Sequence, residues 1–165
     1  MKHLVISLTL ASALAVAGCA KKAPEQLPPT PQGAVEQPQT SGPTPGSQAH
    51  FASVMRGADT IFFDTDMFNI DAEDQAALRQ QAEYLRQYPN IRATVEGHCD
   101  ERGTREYNIA LGERRANAAK NYLVSLGISA DRLTTVSYGK ERPVAVGSNE
   151  NAWAQNRRAV TIIIG

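Results

Sequence analysis

The chain has 165 residues, 42% of them hydrophobic, and its charges cancel, with 17 Lys and Arg against 17 Asp and Glu. A nucleic-acid-binding domain normally carries a clear basic excess, so this composition argues against a nucleic-acid partner. Residues 51–165 are enough chain for one ordinary domain with a single core.

The first residues are typical of an export signal. Lys2 precedes an apolar run, residues 4–17, that is too short to span a bilayer. The sequence Val16-Ala17-Gly18-Cys19 resembles the bacterial lipobox. This resemblance implies a signal peptide at 1–18, lipid on Cys19, and a chain anchored to the periplasmic face of the outer membrane. The alternative is a plain secretory signal with a chance cysteine.

Residues 19–50 have the composition of a tether. They hold seven of the nine prolines, together with Gln, Thr, Gly and Ser, and they offer almost no apolar surface to bury. Such a segment cannot offset the entropy that it would lose on ordering. We therefore expect a disordered linker between Cys19 and the folded domain.

The rest of the chain alternates between strand and helix patterns. Asp71 is a helix N-cap candidate, Pro89 ends the pattern that follows it, and Gly127 fits the C-terminal cap of a longer helix. The predicted strands are 60–63, 91–97, 133–138 and 158–164, and the predicted helices are 71–88, 106–126 and 149–156. This β-α-β-α-β-α-β order indicates an α/β fold, an α+β sandwich with helices packed on a sheet.

Three segments carry a family resemblance. They are VEGHCDERGTREYNIALGERRANAAKNY at 95–122, VSYGKERP at 136–143 and NRRAV at 156–160. Together they resemble the OmpA-like family and, within it, the family of peptidoglycan-associated lipoproteins. The resemblance implies a mixed four-stranded sheet with helices on one side. It also implies noncovalent binding of the diaminopimelate-containing peptide stem of peptidoglycan, without catalysis and without a cofactor.

The same resemblance implies partners. These are the periplasmic β-propeller protein and the inner-membrane components of the Tol system, which acts in outer-membrane integrity and in constriction during cell division. An OmpA-like lipoprotein outside the Tol system is the alternative.

The residues themselves suit such a ligand. A diaminopimelate side chain ends in an ammonium and a carboxylate, for which Asp100 and Arg115 supply an anion and a planar guanidinium fork. The family resemblance implies a larger binding set: Asp66, Asp100, Thr104, Asn108, Leu111 and Arg115. The simpler interpretation is that Asp100 and Arg115 only pair with each other on the surface.

Other interpretations of the sequence are weaker. His98, Cys99 and Asp100 are adjacent, and neighbours in an extended segment point to opposite faces, so no metal site is expected. A peptidoglycan hydrolase is the enzymatic rival, although no catalytic motif is found. A scaffold that binds only proteins is the third possibility. We expect Cys99 to be sheltered and reduced, the alternative being an intermolecular disulfide.

Overall fold

The computed structural model describes residues 42–164. The predicted signal peptide, the lipidation site Cys19 and most of the predicted tether lie outside these described residues. Within the described part, none of the helices has the length and apolar character needed to cross a membrane.

A mixed four-stranded sheet forms the centre of the domain. Its strands are β1 (Thr60–Phe62), β2 (Arg92–His98), β3 (Leu133–Gly139) and β4 (Arg158–Ile164). They lie in the order β1-β4-β2-β3, with β4 antiparallel to both of its neighbours and β2 parallel to β3. The predicted mixed sheet is therefore confirmed, and the parallel pair is possible because a helix connects β2 to β3.

Helices cover one face of this sheet. They are α1 (Gln48–Met55), α2 (Ala72–Gln87) and α3 (Arg105–Ser125). A short 3-10 helix at Ala130–Arg132 precedes β3, and α4 (Glu150–Asn156) lies in the connection from β3 to β4. Alternate strand residues such as Val95 and Ile163 join the buried side chains of α1, α2 and α3 in one core. Asp71 caps α2 as predicted, since its side chain accepts a hydrogen bond from the Asp74 amide.

The predicted boundary between tether and domain is wrong by several residues. Ser47 caps α1, and the Phe51 side chain is completely buried in the core. His50, which we assigned to the tether, lies 2.7 Å from the Tyr84 hydroxyl through its Nδ1 atom. The folded domain therefore begins before residue 48, because a few aromatic contacts stabilise a helix that its own short sequence does not predict.

Two glycines set the position of α3 on the sheet. A Cβ atom added to Gly97 on β2 would lie 1.8 Å from the carbonyl oxygen of Gly112 on α3, which no side chain tolerates. A Cβ on Gly112 would in turn meet the Ser137 hydroxyl at 2.4 Å. Backbone therefore packs directly on backbone here, and the N-terminal half of α3 is fixed above the end of β2.

Two buried groups on opposite sides of the domain have displaced pKa values. Burial, and then the charges of Arg158 and Arg142, lower the pKa of His98 to about 4. Neither ring nitrogen of His98 makes a hydrogen bond among the described residues, although the Glu96 carboxylate lies 3.4 Å from Nε2. Burial raises the pKa of Asp74 to about 6, partly opposed by a hydrogen bond from the Phe62 amide.

These two groups should give opposite pH dependences of stability. Between pH 6.5 and 4 the unfolded chain protonates His98 and the folded chain does not, so acid favours unfolding through this residue. Between pH 6 and 3.8 the folded chain protonates Asp74 first, so acid favours folding. Relative to the wild type, acidification from about pH 7 to 5 should therefore stabilise His98→Gln and destabilise Asp74→Asn. Urea unfolding at several pH values measures both slopes, and profiles parallel to the wild type would contradict the assignment.

Candidate functional site

A cavity of about 280 Å³ opens where the loop after β1, the end of β2 and the beginning of α3 meet. Five of the six predicted binding residues line it, and Thr104 does not. The lining residues are Thr65, Asp66, Cys99, Asp100, Arg102, Gly103, Tyr107, Asn108, Leu111 and Arg115. Asn108, Leu111 and Arg115 on α3 are spaced by three and four residues, so one face of the helix forms one wall of the cavity.

Asp100 provides the cavity with a nearly buried negative charge. Its side chain is 9% exposed, and it accepts hydrogen bonds from the backbone amide, Nε and Nη2 of Arg102. A second guanidinium, that of Arg157, places Nη1 3.5 Å from the carboxylate. Burial alone would raise the pKa of Asp100, but the hydrogen bonds and charges of Arg102 and Arg157 lower it below its usual value. The carboxylate is therefore ionised at neutral pH.

Arg102 is a site residue that the sequence analysis missed. Its side chain is 39% exposed, and it lies over the Trp153 ring at 4.2 Å and donates to the Thr65 hydroxyl at 3.2 Å. The simpler interpretation of the sequence paired Asp100 with Arg115. In the structure, Asp100 pairs with Arg102 instead. The sequence signal for this contact was that Arg102 follows Asp100 by two residues. In a tight loop, a residue at that spacing can fold back onto the preceding Asp.

Arg115 makes backbone contacts that the sequence did not predict. It is completely buried, and its guanidinium donates to the backbone carbonyls of Met67 at 2.9 Å, His98 at 2.9 Å and Asp64 at 3.1 Å. These bonds engage the Arg115 guanidinium with the backbone, and its predicted contact with a ligand carboxylate stays a prediction. Carbonyls at a strand end and in an irregular loop need donors when they are buried, and Arg115 supplies them.

Asn108 and Thr104 organise the loop that carries Asp100. Asn108 is 2% exposed, and its side-chain amide donates to the carbonyl oxygens of Arg102 and Thr104. The Thr104 hydroxyl caps α3 by accepting from the Tyr107 amide. Leu111, which is 3% exposed, provides an apolar part of the wall. The loop is thus tied at both ends to the first turns of α3.

Asp66 and Tyr107 form the rim of the cavity. Asp66 adopts a left-handed backbone conformation, with φ 59°, and its Oδ1 accepts a hydrogen bond from the Tyr107 hydroxyl at 3.0 Å. This hydrogen bond is the main reason that the pKa of Tyr107 is raised. The rim therefore carries a second carboxylate, exposed to solvent.

Cys99 is sheltered, as predicted. It is 3% exposed, it forms no disulfide within residues 42–164, and its thiol donates to the Asn108 carbonyl at 3.3 Å. Burial raises the pKa of the thiol, against the opposing charge of Arg115. Cys99 therefore behaves as a small packing residue and not as a thiolate nucleophile.

Comparisons of sequence and of structure with known proteins agree on one family. Residues 62–157 match the model of the OmpA family. A peptidoglycan-associated lipoprotein of Agrobacterium fabrum is 51% identical over 98% of this chain and 87% of its own length, and one of Pseudomonas aeruginosa is 45% identical over 92% and 91%. The crystal structure of the peptidoglycan-associated lipoprotein from Burkholderia pseudomallei superposes with a TM-score of 0.62 at 44% identity, covering 64% of this chain and 89% of that one.

Replacing Arg115 should destabilise the fold. In Arg115→Lys, a single ammonium cannot reach three diverging carbonyls, so we expect a loss of about 2–4 kcal/mol in the free energy of unfolding. Chemical denaturation measures this loss, with Arg79→Lys on the exposed side of α2 as the matched control. Unchanged stability in Arg115→Lys would show that the carbonyl contacts contribute little.

Proposed function

Because this chain belongs to the OmpA family and, within it, to the peptidoglycan-associated lipoproteins, we propose that its cavity binds the diaminopimelate residue of a peptidoglycan stem. The observation that carries this proposal is the ionised, nearly buried carboxylate of Asp100. It is paired with the guanidinium of Arg102, whose side chain is 39% exposed. A site built this way suits a ligand that brings both a positive and a negative charge.

Ligand binding is an exchange of partners in this proposal. The ammonium of the diaminopimelate terminus takes the place of the Arg102 guanidinium at Asp100. Arg102 then turns to the carboxylate of the same terminus, where its planar donors form the fork that we first assigned to Arg115. Asp66 at the rim adds a second anion for the ammonium. The charge balance of the cavity is kept throughout, which limits the desolvation cost of binding.

The other predicted residues hold the two loops that carry the charged groups. Asn108 and Thr104 hold the loop that carries Asp100, and Leu111 packs against the methylene chain of the ligand. Arg115 holds the loop that carries Asp66. Their contribution is to keep the charged groups in place before the ligand arrives, which lowers the entropic cost of binding.

We propose that the domain binds the cell wall without cleaving it. The one thiol near the cavity is buried and its pKa is raised, which argues against a cysteine peptidase. A hydrolase remains testable, because incubation of the purified domain with muropeptides would release fragments. Retained binding without any released fragment supports a binding module.

The proposal also includes a membrane anchor and protein partners in the Tol system. Cys19 carries the lipid that anchors the protein to the periplasmic face of the outer membrane, and the domain then tethers that membrane to the wall. The relatives named lipoproteins support the anchor. The periplasmic β-propeller protein and the inner-membrane Tol components are the proposed protein partners, and in-cell cross-linking that recovers none of them would place the chain outside the Tol system.

Asp100→Asn should lose ligand affinity while keeping the fold. Hydrogen bonds to charged groups contribute about 1.5–3 kcal/mol, so binding of a diaminopimelate muropeptide should weaken roughly ten- to a hundredfold. Calorimetry measures this, with Glu113→Gln on the exposed side of α3 as a control of equal charge. Lysine-type muropeptide should also bind the wild type poorly, because it lacks the terminal carboxylate. Equal affinity for both muropeptides would refute the site.

Cys19→Ser should release the protein from the membrane. Without the thiol no diacylglycerol can be attached, and a domain with no apolar anchor should appear in the periplasmic fraction. Mass spectrometry of the wild-type N-terminal peptide, together with membrane fractionation of both forms, tests this. An unmodified Cys19 in the wild type would contradict the proposed anchor.

A further inference from the structure

A second groove lies beside the cavity, between the loop after β1 and the outer side of α3. It measures about 460 Å³ and is mostly apolar. Phe68 forms one side, and the helix contributes a cation, two amides and a methyl group. These lining residues are Phe68, Asn69, Ile70, Arg114, Asn117, Ala118 and Asn121. Nothing in the exchange at Asp100 uses this groove.

Of the residues that the structure describes, Arg114 is the only charged one that lines the groove. Its side chain is exposed, and its guanidinium lies over the Phe68 ring at 5.6 Å. Among residues 42–164 it forms no hydrogen bond and no ion pair, in contrast to the neighbouring Arg115 with its three carbonyl partners. A guanidinium that is oriented by an aromatic ring and has all its donors free is prepared to bind an anion.

The groove continues the cavity. Tyr107 on the rim and Arg114 are seven residues apart on α3, so they lie on the same side of the helix, about 10 Å from each other. The loop after β1 borders both spaces, through Asp66 at the cavity and Phe68 at the groove. The positive charge of Arg114 also reaches the rim, where it opposes the effect of Asp66 on the pKa of Tyr107.

We propose that Arg114 binds the free α-carboxylate of the D-glutamate that precedes diaminopimelate in the peptide stem. This inference rests on the proposed function, because it places the diaminopimelate terminus at Asp100. The D-glutamate is joined through its side-chain carboxyl, so its α-carboxylate stays ionised. Roughly eleven bonds separate it from the terminal carboxylate, a reach of about 13 Å when extended. The terminus is placed at Asp100 and Asp66, and Asp66 contacts Tyr107. The reach therefore exceeds the distance of about 10 Å along α3 from Tyr107 to Arg114. The amides of Asn117 and Asn121 lie farther along the groove for the peptide groups of the stem.

A pair of nearly isosteric ligands tests the subsite. Diaminopimelate muropeptides with D-glutamate or with D-isoglutamine differ only in that α-carboxylate or its neutral amide. Because Arg114 is solvent-exposed, the wild type should bind the D-glutamate form about two- to fivefold more tightly. Arg114→Gln should bind both forms equally, at the affinity of the amidated ligand. Lys120→Gln, which removes one positive charge elsewhere on α3, should keep the wild-type preference.

The outcomes separate the subsite from the site. If the wild type binds both forms with equal affinity, the Arg114 subsite is wrong while the Asp100 site stands. If Arg114→Gln weakens both forms by the same factor, Arg114 contacts another part of the ligand, and the assignment to D-glutamate is again wrong. If neither muropeptide binds the wild type at all, the proposed function fails and the subsite fails with it. Thermal unfolding of each variant confirms that the folded state is being compared.

Discussion

The buried guanidinium of Arg115 is the interaction on which the site depends. It joins three backbone segments that no strand pairing connects: the end of β2 and two points of the loop after β1. The His98 contact is fully buried, and an unmet hydrogen bond there would cost about 1–3 kcal/mol. A single side chain on α3 therefore fixes the loop that forms the rim. The close packing of Gly97 on Gly112 brings α3 near enough for this contact.

The charges at the cavity are balanced before any ligand is present. Asp100 faces Arg102 and Arg157, and Arg157 also pairs with Glu150 and donates to the Phe63 carbonyl. Desolvation disfavours the charged form of a carboxylate this deeply buried and by itself would raise its pKa. The arginines keep it ionised, and Arg102 is the more exposed of the two, at 39% against 7% for Arg157. The proposed exchange with a zwitterion uses this arrangement, because a simple cation at Asp100 would offer Arg102 no carboxylate in return.

Most of the fold could be predicted from the sequence, because the pattern and the caps agree locally. The Asp71 cap and the alternation of residues 91–97 appear in the structure almost where they were expected. Helix α1 could not be predicted, since its stability comes from the contacts of Phe51 and His50 with distant residues. The position of the candidate site around Asp100 could also be predicted, from the family motif at residues 95–122.

The ion pairs inside the candidate site could not be predicted from the sequence in the same way. Which arginine meets Asp100 depends on the path of a loop that turns back on itself, and residue types do not specify that path. Arg102 reaches the carboxylate because the loop folds over two residues, while Arg115 is drawn toward backbone carbonyls instead. The residues were therefore predictable as a set, and their individual roles required the structure.

The point at which the chain enters the domain has a mechanical consequence. Gly46 lies beside Ile91, since a Cβ added to Gly46 would meet the Ile91 side chain at 3.5 Å. Ile91 precedes β2, whereas Asp100 follows the other end of that strand. Gln48 accepts a hydrogen bond from the Ile163 amide on β4, the strand paired with β2 along its length. Tension between an anchor before Gly46 and a ligand at Asp100 would thus run along the strands and load their ladder bonds in shear. Bonds loaded together resist a pull better than bonds opened one at a time, so this geometry suits a domain that holds under force.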